Sequence, residues 1–178
     1  MAVQQLILPV ISLASIDANL ARTMEPRTST PQARLRAIRA LSTAGIPTGI
    51  LVAPIIPGLT DSGIPDTLKA ARDAGATFAA RNMLRLPLSV EPIFLDWLHH
   101  HFPLQEERVL SRLRQVRGGK LNSVAFGERM SGTGIIGNQI NQAFELFRKQ
   151  LGYLETFPSL NCGSFSPPTS STGQQRLF

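Results

Sequence analysis

The sequence predicts an α/β fold in which about three parallel strands are followed by a helical extension. Continuous apolar or β-branched runs are typical of strands that are covered on both faces. Such runs occur at Leu6–Leu13, Pro47–Ile56 and Thr77–Leu86. Amphipathic segments separate them, which indicates right-handed βαβ units. We therefore expect ligands to bind beyond the carboxyl ends of the strands.

The segments between the strands carry helix signals. In the first, Thr30 is a good N-cap, Pro31 occupies the first helical position, and Gly45 follows the last turn. The second, Asp66–Ala74, has small and apolar residues on one face and is followed by Gly75. Both segments are suited to crossover helices that pack on a parallel sheet.

The chain is predicted to be helical after the third strand. The expected helices are Glu91–His101, Gln105–Val116 and about Ile136–Leu151. From Pro158 onward, the sequence is rich in Ser, Pro and Gly and has too few apolar residues to form a core. The predicted organisation is a strand-containing unit over residues 1–103, a helical extension over 104–157 and a disordered tail over 158–178.

Composition and charge indicate a soluble globular protein. The hydrophobic fraction is 43% and the mean hydropathy is +0.03. No apolar run approaches the roughly 20 residues that span a bilayer, so we expect no membrane association and a cytoplasmic location. The net charge of +6 favours polyanions such as nucleic acid, although many small proteins are basic without binding any. The candidate basic patch consists of Arg108, Arg112, Arg114, Arg117 and Lys120.

The cysteine count restricts metal chemistry. Cys162 is the single cysteine of the sequence, which excludes an intrachain disulfide and any all-cysteine metal or cluster site. His99, His100 and His101 are adjacent and point in different directions on a helix. We therefore expect a solvated helix end there and predict no metal-binding residues in the chain.

Several sequence segments, taken in order, are similar to one known family. They are ISLASID…MEPRTSTP, AGIPTGILVAPIIPGLTD, MLRLPLSVEPIFLDWLHHHFP, RGGKLN…FGERMSGTG and a closing RLF. The set resembles the carboxy-terminal half of the spore-photoproduct-lyase-like radical SAM proteins, often labelled DNA repair photolyases, from about Val10 to Phe178. This resemblance implies the second half of a partial (β/α)6 barrel, in which the three strands are the fourth to sixth, followed by a family-specific helical extension.

The resemblance implies a lyase-like iron–sulfur enzyme that cleaves S-adenosylmethionine (SAM) reductively to a 5′-deoxyadenosyl radical. The family holds its 4Fe–4S cluster on a Cys-x3-Cys-x2-Cys loop, and this sequence has no such loop. We therefore expect no cluster in this chain and no activity without a first half supplied by another chain. The alternatives are a non-catalytic module that binds nucleic acid or a sliding clamp, and a gene remnant.

The resemblance also places SAM-binding residues near the carboxyl end of the first strand. Ser12 would donate a hydrogen bond to the ribose, or it caps its own turn. Arg27 would bind the methionine carboxylate because a guanidinium matches two oxygens, with Glu25 orienting it. A local ion pair at the approach to the helix is the alternative for Glu25 and Arg27.

Residues 54–61, PIIPGLTD, have the spacing of the loose Gly-x-Ile-x-Gly-x-x-Glu signature of radical SAM folds. Pro54 replaces the first glycine and Asp61 replaces the glutamate. By this resemblance, Ile56 would present an apolar face to adenine, and Gly58 would let the backbone approach the ligand closely. Without the resemblance, the segment is a rigid strand-to-helix turn.

Arg85 is a charged residue inside the apolar third strand. A charge in that position must be paired or must reach the mouth of the barrel. The functional interpretation is a contact with SAM or with the substrate. The structural interpretation is an ion pair with a carboxylate such as Asp61.

The last five residues fit a Gln-x-x-Leu-Phe pentapeptide, with Gln174, Leu177 and Phe178 at the specified positions. This resembles the peptide by which bacterial replication and repair proteins bind the DNA sliding clamp. Two apolar anchors on a protruding tail can fill a hydrophobic pocket. The alternative is an inert tail.

Overall fold

A three-stranded parallel sheet in the order β1-β2-β3 organises the structure, a computed structural model that describes residues 6–123 and 128–164. The strands are β1 (Val10–Ser12), β2 (Gly49–Ile55) and β3 (Phe78–Met83). The helices are α1 (Ala18–Met24), α2 (Pro31–Thr43), α3 (Ile64–Asp73), α4 (Val90–His101), α5 (Glu106–Val116) and α6 (Gly134–Gln150). Short 3-10 turns occur at Asp61–Gly63, Pro103–Gln105 and Cys162–Ser164. The mixed α/β fold predicted from the sequence is confirmed.

The outer strands are shorter than their apolar runs. Strand β1 pairs only from Val10, opposite Gly49, to Ser12, opposite Leu51. The residues before Val10 do not continue the strand, because its partner β2 begins at Gly49. The expectation that this first strand is covered on both faces is wrong, because residues 6–9 are half-buried and Val10 is 40% exposed. Strand β1 also ends at Ser12 although β2 continues to Ile55.

Helix α2 begins and ends where the sequence predicts. The Thr30 hydroxyl accepts a hydrogen bond from the Ala33 amide at 3.3 Å, and Gly45 adopts φ +73° beyond the last turn. Helix α1, by contrast, was not predicted. Its N-cap is Asp17, whose carboxylate accepts from the amides of Asn19 and Leu20 at 2.8 and 3.0 Å.

Two apolar clusters form the core within the described residues. The first packs the sheet against α2, α3 and α6, and its largest fully buried members include Ile38, Ile50, Leu68 and Phe144. The second lies past the carboxyl ends of β2 and β3, under α4 and α5, and contains Ile56, Leu84, Leu86, Phe94, Leu98, Val109 and Leu113. This second cluster therefore covers the side chains of Ile56, Leu84 and Leu86 beyond β2 and β3, whereas Arg85, between the two leucines, is half-buried.

The segment predicted as a helical extension packs into the same core as the sheet. Ile140 and Phe144 of α6 belong to the first cluster. After α6, the hydroxyl of the buried Tyr153 donates to the Leu68 carbonyl at 2.6 Å. Among the helices of residues 6–123 and 128–164, none is long and apolar enough to cross a membrane.

Candidate functional site

A groove beside β1 brings together several of the residues that the sequence predicted to bind SAM. Its volume is about 580 Å³, and it is an open surface groove, not an enclosed cavity. Ser12, Glu25 and Arg27 all line it. These residues belong to the end of one strand and to the connection between α1 and α2, so their meeting depends on the chain returning across the edge of the sheet.

A chain of polar contacts fixes one wall of this groove. The Ser12 hydroxyl donates to the Ala53 carbonyl at 3.3 Å. The Arg34 guanidinium donates to the Ser12 carbonyl at 3.0 Å and contacts the Glu25 carboxylate at 2.9 Å. The Arg34 side chain is only 14% exposed, so this ion pair loses less to solvent screening than a surface pair.

Glu25 therefore pairs with Arg34, not with Arg27 as the sequence suggested. Arg27 is exposed at the groove. Within the described residues, no carboxylate forms an ion pair with it. Its guanidinium keeps all of its donors for solvent or a ligand, whereas that of Arg34 is committed to the protein.

The turn after β2 does not join the groove. Ile56 is 2% exposed and belongs to the second apolar cluster, so its side chain is not open to an adenine ring. The Gly58 amide donates to the Asp61 carboxylate at 2.9 Å, and its φ is +88°. A Cβ on Gly58 would lie 3.1 Å from the Arg112 Cδ. The positive φ requires the glycine here, and the close approach to α5 leaves little room for a side chain.

The candidate basic patch is not one exposed surface. Arg108 donates to the Gly58 carbonyl at 2.8 Å, and Arg112 forms an ion pair with Asp61 at 3.2 Å. Arg117 is 4% exposed. Arg108, Arg114 and Lys120 are exposed, and Arg112 is half-buried. Much of the charge counted along α5 is therefore used to hold the turn after β2 and the end of β3.

Arg85 is half-buried just beyond β3. Among the ion pairs of the described residues, Asp61 pairs with Arg112 and none joins it to Arg85. Its charged neighbour is Arg117, whose pKa is lowered by burial and then by the charge of Arg85. The sequence analysis does not predict that Arg117 is buried beside Arg85. The apolar stripe of α5 that passes through Val109 and Leu113 leads to Arg117, and this spacing could have indicated its burial.

No metal site is formed by the described residues, since no group of three or more His, Cys, Asp or Glu side chains lies together there. His99 contacts the Glu106 carboxylate at 2.8 Å, whereas His100 contacts the Asp96 carbonyl at 2.8 Å. The predicted clamp-binding residues Gln174, Leu177 and Phe178 lie outside the described part of the chain.

Comparison with known proteins gives relatives but no function. No protein-family model and no solved structure matches the chain. Uncharacterized proteins of Mycobacterium bovis and of Mycobacterium tuberculosis are 39% identical to it over 108 residues. The match covers 60% of this chain and 31% of the relative. The matched region is thus less than a third of the length of these curated relatives.

Proposed function

We propose that this chain is the second half of a radical SAM barrel and that it contributes part of the SAM-binding surface. The observation that carries the proposal is the groove beside β1, which Ser12, Glu25 and Arg27 all line. The substrate, the reaction and any nucleic-acid partner of the complete enzyme are part of the same proposal.

The order of the strands is that of a barrel segment. Consecutive strands are neighbours in a (β/α) barrel, as they also are within each half of a doubly wound sheet. The observed order is β1-β2-β3, with parallel pairing throughout. Strand β1 forms one edge of this sheet, and Val10 on it is 40% exposed. An unpaired edge can accept another strand, as the first half of a barrel would provide.

The donor set of the groove suits a ligand such as SAM. SAM carries a carboxylate, an ammonium group, a sulfonium and ribose hydroxyls. The guanidinium of Arg27 is suited to the carboxylate. The Ser12 hydroxyl donates to the Ala53 carbonyl, so its oxygen can accept a hydrogen bond from a ribose hydroxyl. The Glu25 carboxylate is 33% exposed and retains acceptor capacity beside Arg34 for a cationic or hydroxyl group. SAM therefore fits the residues that are present.

The iron–sulfur cluster does not fit this chain. Such a cluster is held by several thiolates, and Cys162, the single cysteine, is exposed far along the chain from the groove residues. The thiolates would have to come from residues outside these 178. What this chain can do alone is bind and orient the adenosyl ligand.

Equilibrium dialysis with radiolabelled SAM tests the proposal. We expect the wild-type chain to retain SAM, and we expect Arg27→Ala to weaken binding by about tenfold or more, because a charge-assisted hydrogen bond contributes about 1.5–3 kcal/mol. Ser12→Ala should weaken binding to a lesser extent. Arg36→Ala is the matched control, since Arg36 is an exposed arginine of α2 that does not line the groove.

Two results would contradict the proposal. One is a wild-type chain that retains no SAM. The other is that Arg27→Ala and Arg36→Ala both bind SAM as tightly as the wild type. The groove would then play no part in the binding.

A further inference from the structure

Arg117 is a buried arginine whose charge has no carboxylate partner. Its terminal nitrogens donate to three main-chain carbonyls, those of Met83 at 3.5 Å, Leu84, and Glu128 at 3.3 Å. The group of Glu128 that accepts this hydrogen bond is its main-chain carbonyl and not its carboxylate, and Glu128 is an exposed residue. No carboxylate in the described part of the chain forms an ion pair with Arg117.

Arg85 brings a second positive charge to the same place. It directly follows Leu84, whose carbonyl accepts from Arg117. The Nε atoms of both arginines are buried and have no hydrogen-bond partner among the described residues. Like charges repel most strongly where water is scarce, and a buried cation is costly unless it is paired. An anion would relieve both costs.

The two arginines also lie at a position that is typical of ligand sites in parallel α/β folds. Arg85 comes just after the last residue of β3, Met83, and ligands of parallel α/β sheets bind beyond the carboxyl ends of the strands. The main-chain carbonyls hold the Arg117 guanidinium in one orientation, whereas the half-buried Arg85 has no hydrogen bond to another described residue. One charge is therefore fixed, and the other remains able to contact a ligand.

We propose that Arg85 and Arg117 form a binding site for an oxyanion, the phosphate or carboxylate group of a ligand, at the carboxyl end of β3. Arg85 contacts the anion through its planar fork of N–H groups. Arg117 is a positioning residue that adds charge behind it and anchors the end of β3. The site does not depend on the groove at β1, because none of its residues lines that groove.

Urea unfolding provides the test, with inorganic phosphate as the first probe and malonate, a dicarboxylate, as the second. Trp97 is the single tryptophan, so its fluorescence reports unfolding. At constant ionic strength, we expect exchange of chloride for phosphate to raise the unfolding midpoint of the wild type. A response to malonate alone would assign the site to carboxylates, and a response to phosphate alone would assign it to phosphates.

Variants of Arg85 separate binding from structural support. Arg85→Gln should raise the apparent Kd for the responding anion by at least about tenfold. In chloride alone, it should unfold at the same or a higher urea concentration, because one of two repelling charges is gone. Arg85→Lys should respond more weakly than the wild type. Arg114→Gln, which removes an exposed charge from α5, should respond as the wild type does.

Three results would overturn this proposal. They are a wild-type midpoint that neither anion raises, an Arg85→Gln chain that responds as strongly as the wild type, and an Arg85→Gln chain that is less stable in chloride alone. The last would mark Arg85 as a structural arginine. SAM binding is measured separately through Arg27, so either proposal can fail without the other.

Discussion

Gly49 occupies a position in the centre of the sheet where a single added methyl group has no room. It pairs with Val10 of β1 on one side and with Phe78 of β3 on the other. A Cβ on Gly49 would lie 2.0 Å from the Cε2 atom of Phe78 and 2.5 Å from Cδ2 and Cζ. Carbon atoms in contact lie about 3.5–4.0 Å apart, so the ring would have to move by more than about 1 Å.

The cost of Gly49→Ala follows from how little the Phe78 ring can move. Phe78 is 1% exposed, and its ring packs at 4.9 Å from that of Phe157. Overpacking a core costs about 1–3 kcal/mol, and the upper half of that range applies because several ring atoms clash together. The smaller entropy of the unfolded alanine chain offsets at most about 1 kcal/mol. We expect a net loss of about 1–2 kcal/mol in the free energy of unfolding.

Urea denaturation followed by Trp97 fluorescence measures this loss. With a slope of about 1–3 kcal/mol per molar urea, the midpoint should fall by roughly 0.3–2 M. The matched control is Gly63→Ala, because Gly63 has φ −86° and its added Cβ would meet only the Ser15 Oγ, at 4.0 Å. Phe78→Leu should partly rescue Gly49→Ala. An unchanged midpoint in Gly49→Ala would refute the close packing of Gly49 on Phe78.

Burial raises the pKa of Tyr153 above its ordinary value of about 10. Above a pH of about 10, the Tyr153 hydroxyl therefore stays protonated in the folded chain and loses its proton in the unfolded chain. The free energy of unfolding should then fall with rising pH, by up to about 1.4 kcal/mol per pH unit. Tyr153→Phe should remove this slope, and absorbance titration of the single tyrosine checks the pKa. Separately, anaerobic reconstitution with iron and sulfide should leave the chain colourless. A visible band lost in Cys162→Ala would contradict this.

Local signals predicted the parts of the fold that depend on neighbouring residues. The cap, proline and glycine of α2 act within their own turns, so its bounds, Pro31–Thr43, matched the expectation. The apolar run at residues 47–56 became the central strand Gly49–Ile55 because it is covered on both sides. Edge strand β1 was overestimated because its length depends on pairing, which the composition of the run does not encode.

The residues of the candidate site also divide into those whose position could be predicted and those whose position depends on contacts between distant segments. The family resemblance predicts Ser12 and Arg27 at one place, and both line the groove beside β1. Ile56 was placed against a ligand because the sequence does not show that α4 and α5 cover the ends of β2 and β3. The burial of Arg117 and the partner of Glu25 likewise depend on contacts between distant segments.

The distribution of arginine charge favours a small anionic ligand over a nucleic-acid surface on α5. Carboxylates form ion pairs with some of the arginines on the outside of the fold. Asp61 pairs with Arg112, and Glu145 pairs with Arg81. The arginines without a carboxylate partner in the described residues include Arg27, which comes after β1, and Arg85, which comes after β3. The exposed Arg22 of α1 and Arg36 and Arg39 of α2 also lack such a partner there. A phosphate backbone would need charges spread along one exposed face. Unpaired charges near strand ends suit instead a ligand whose anionic groups reach the carboxyl side of the sheet.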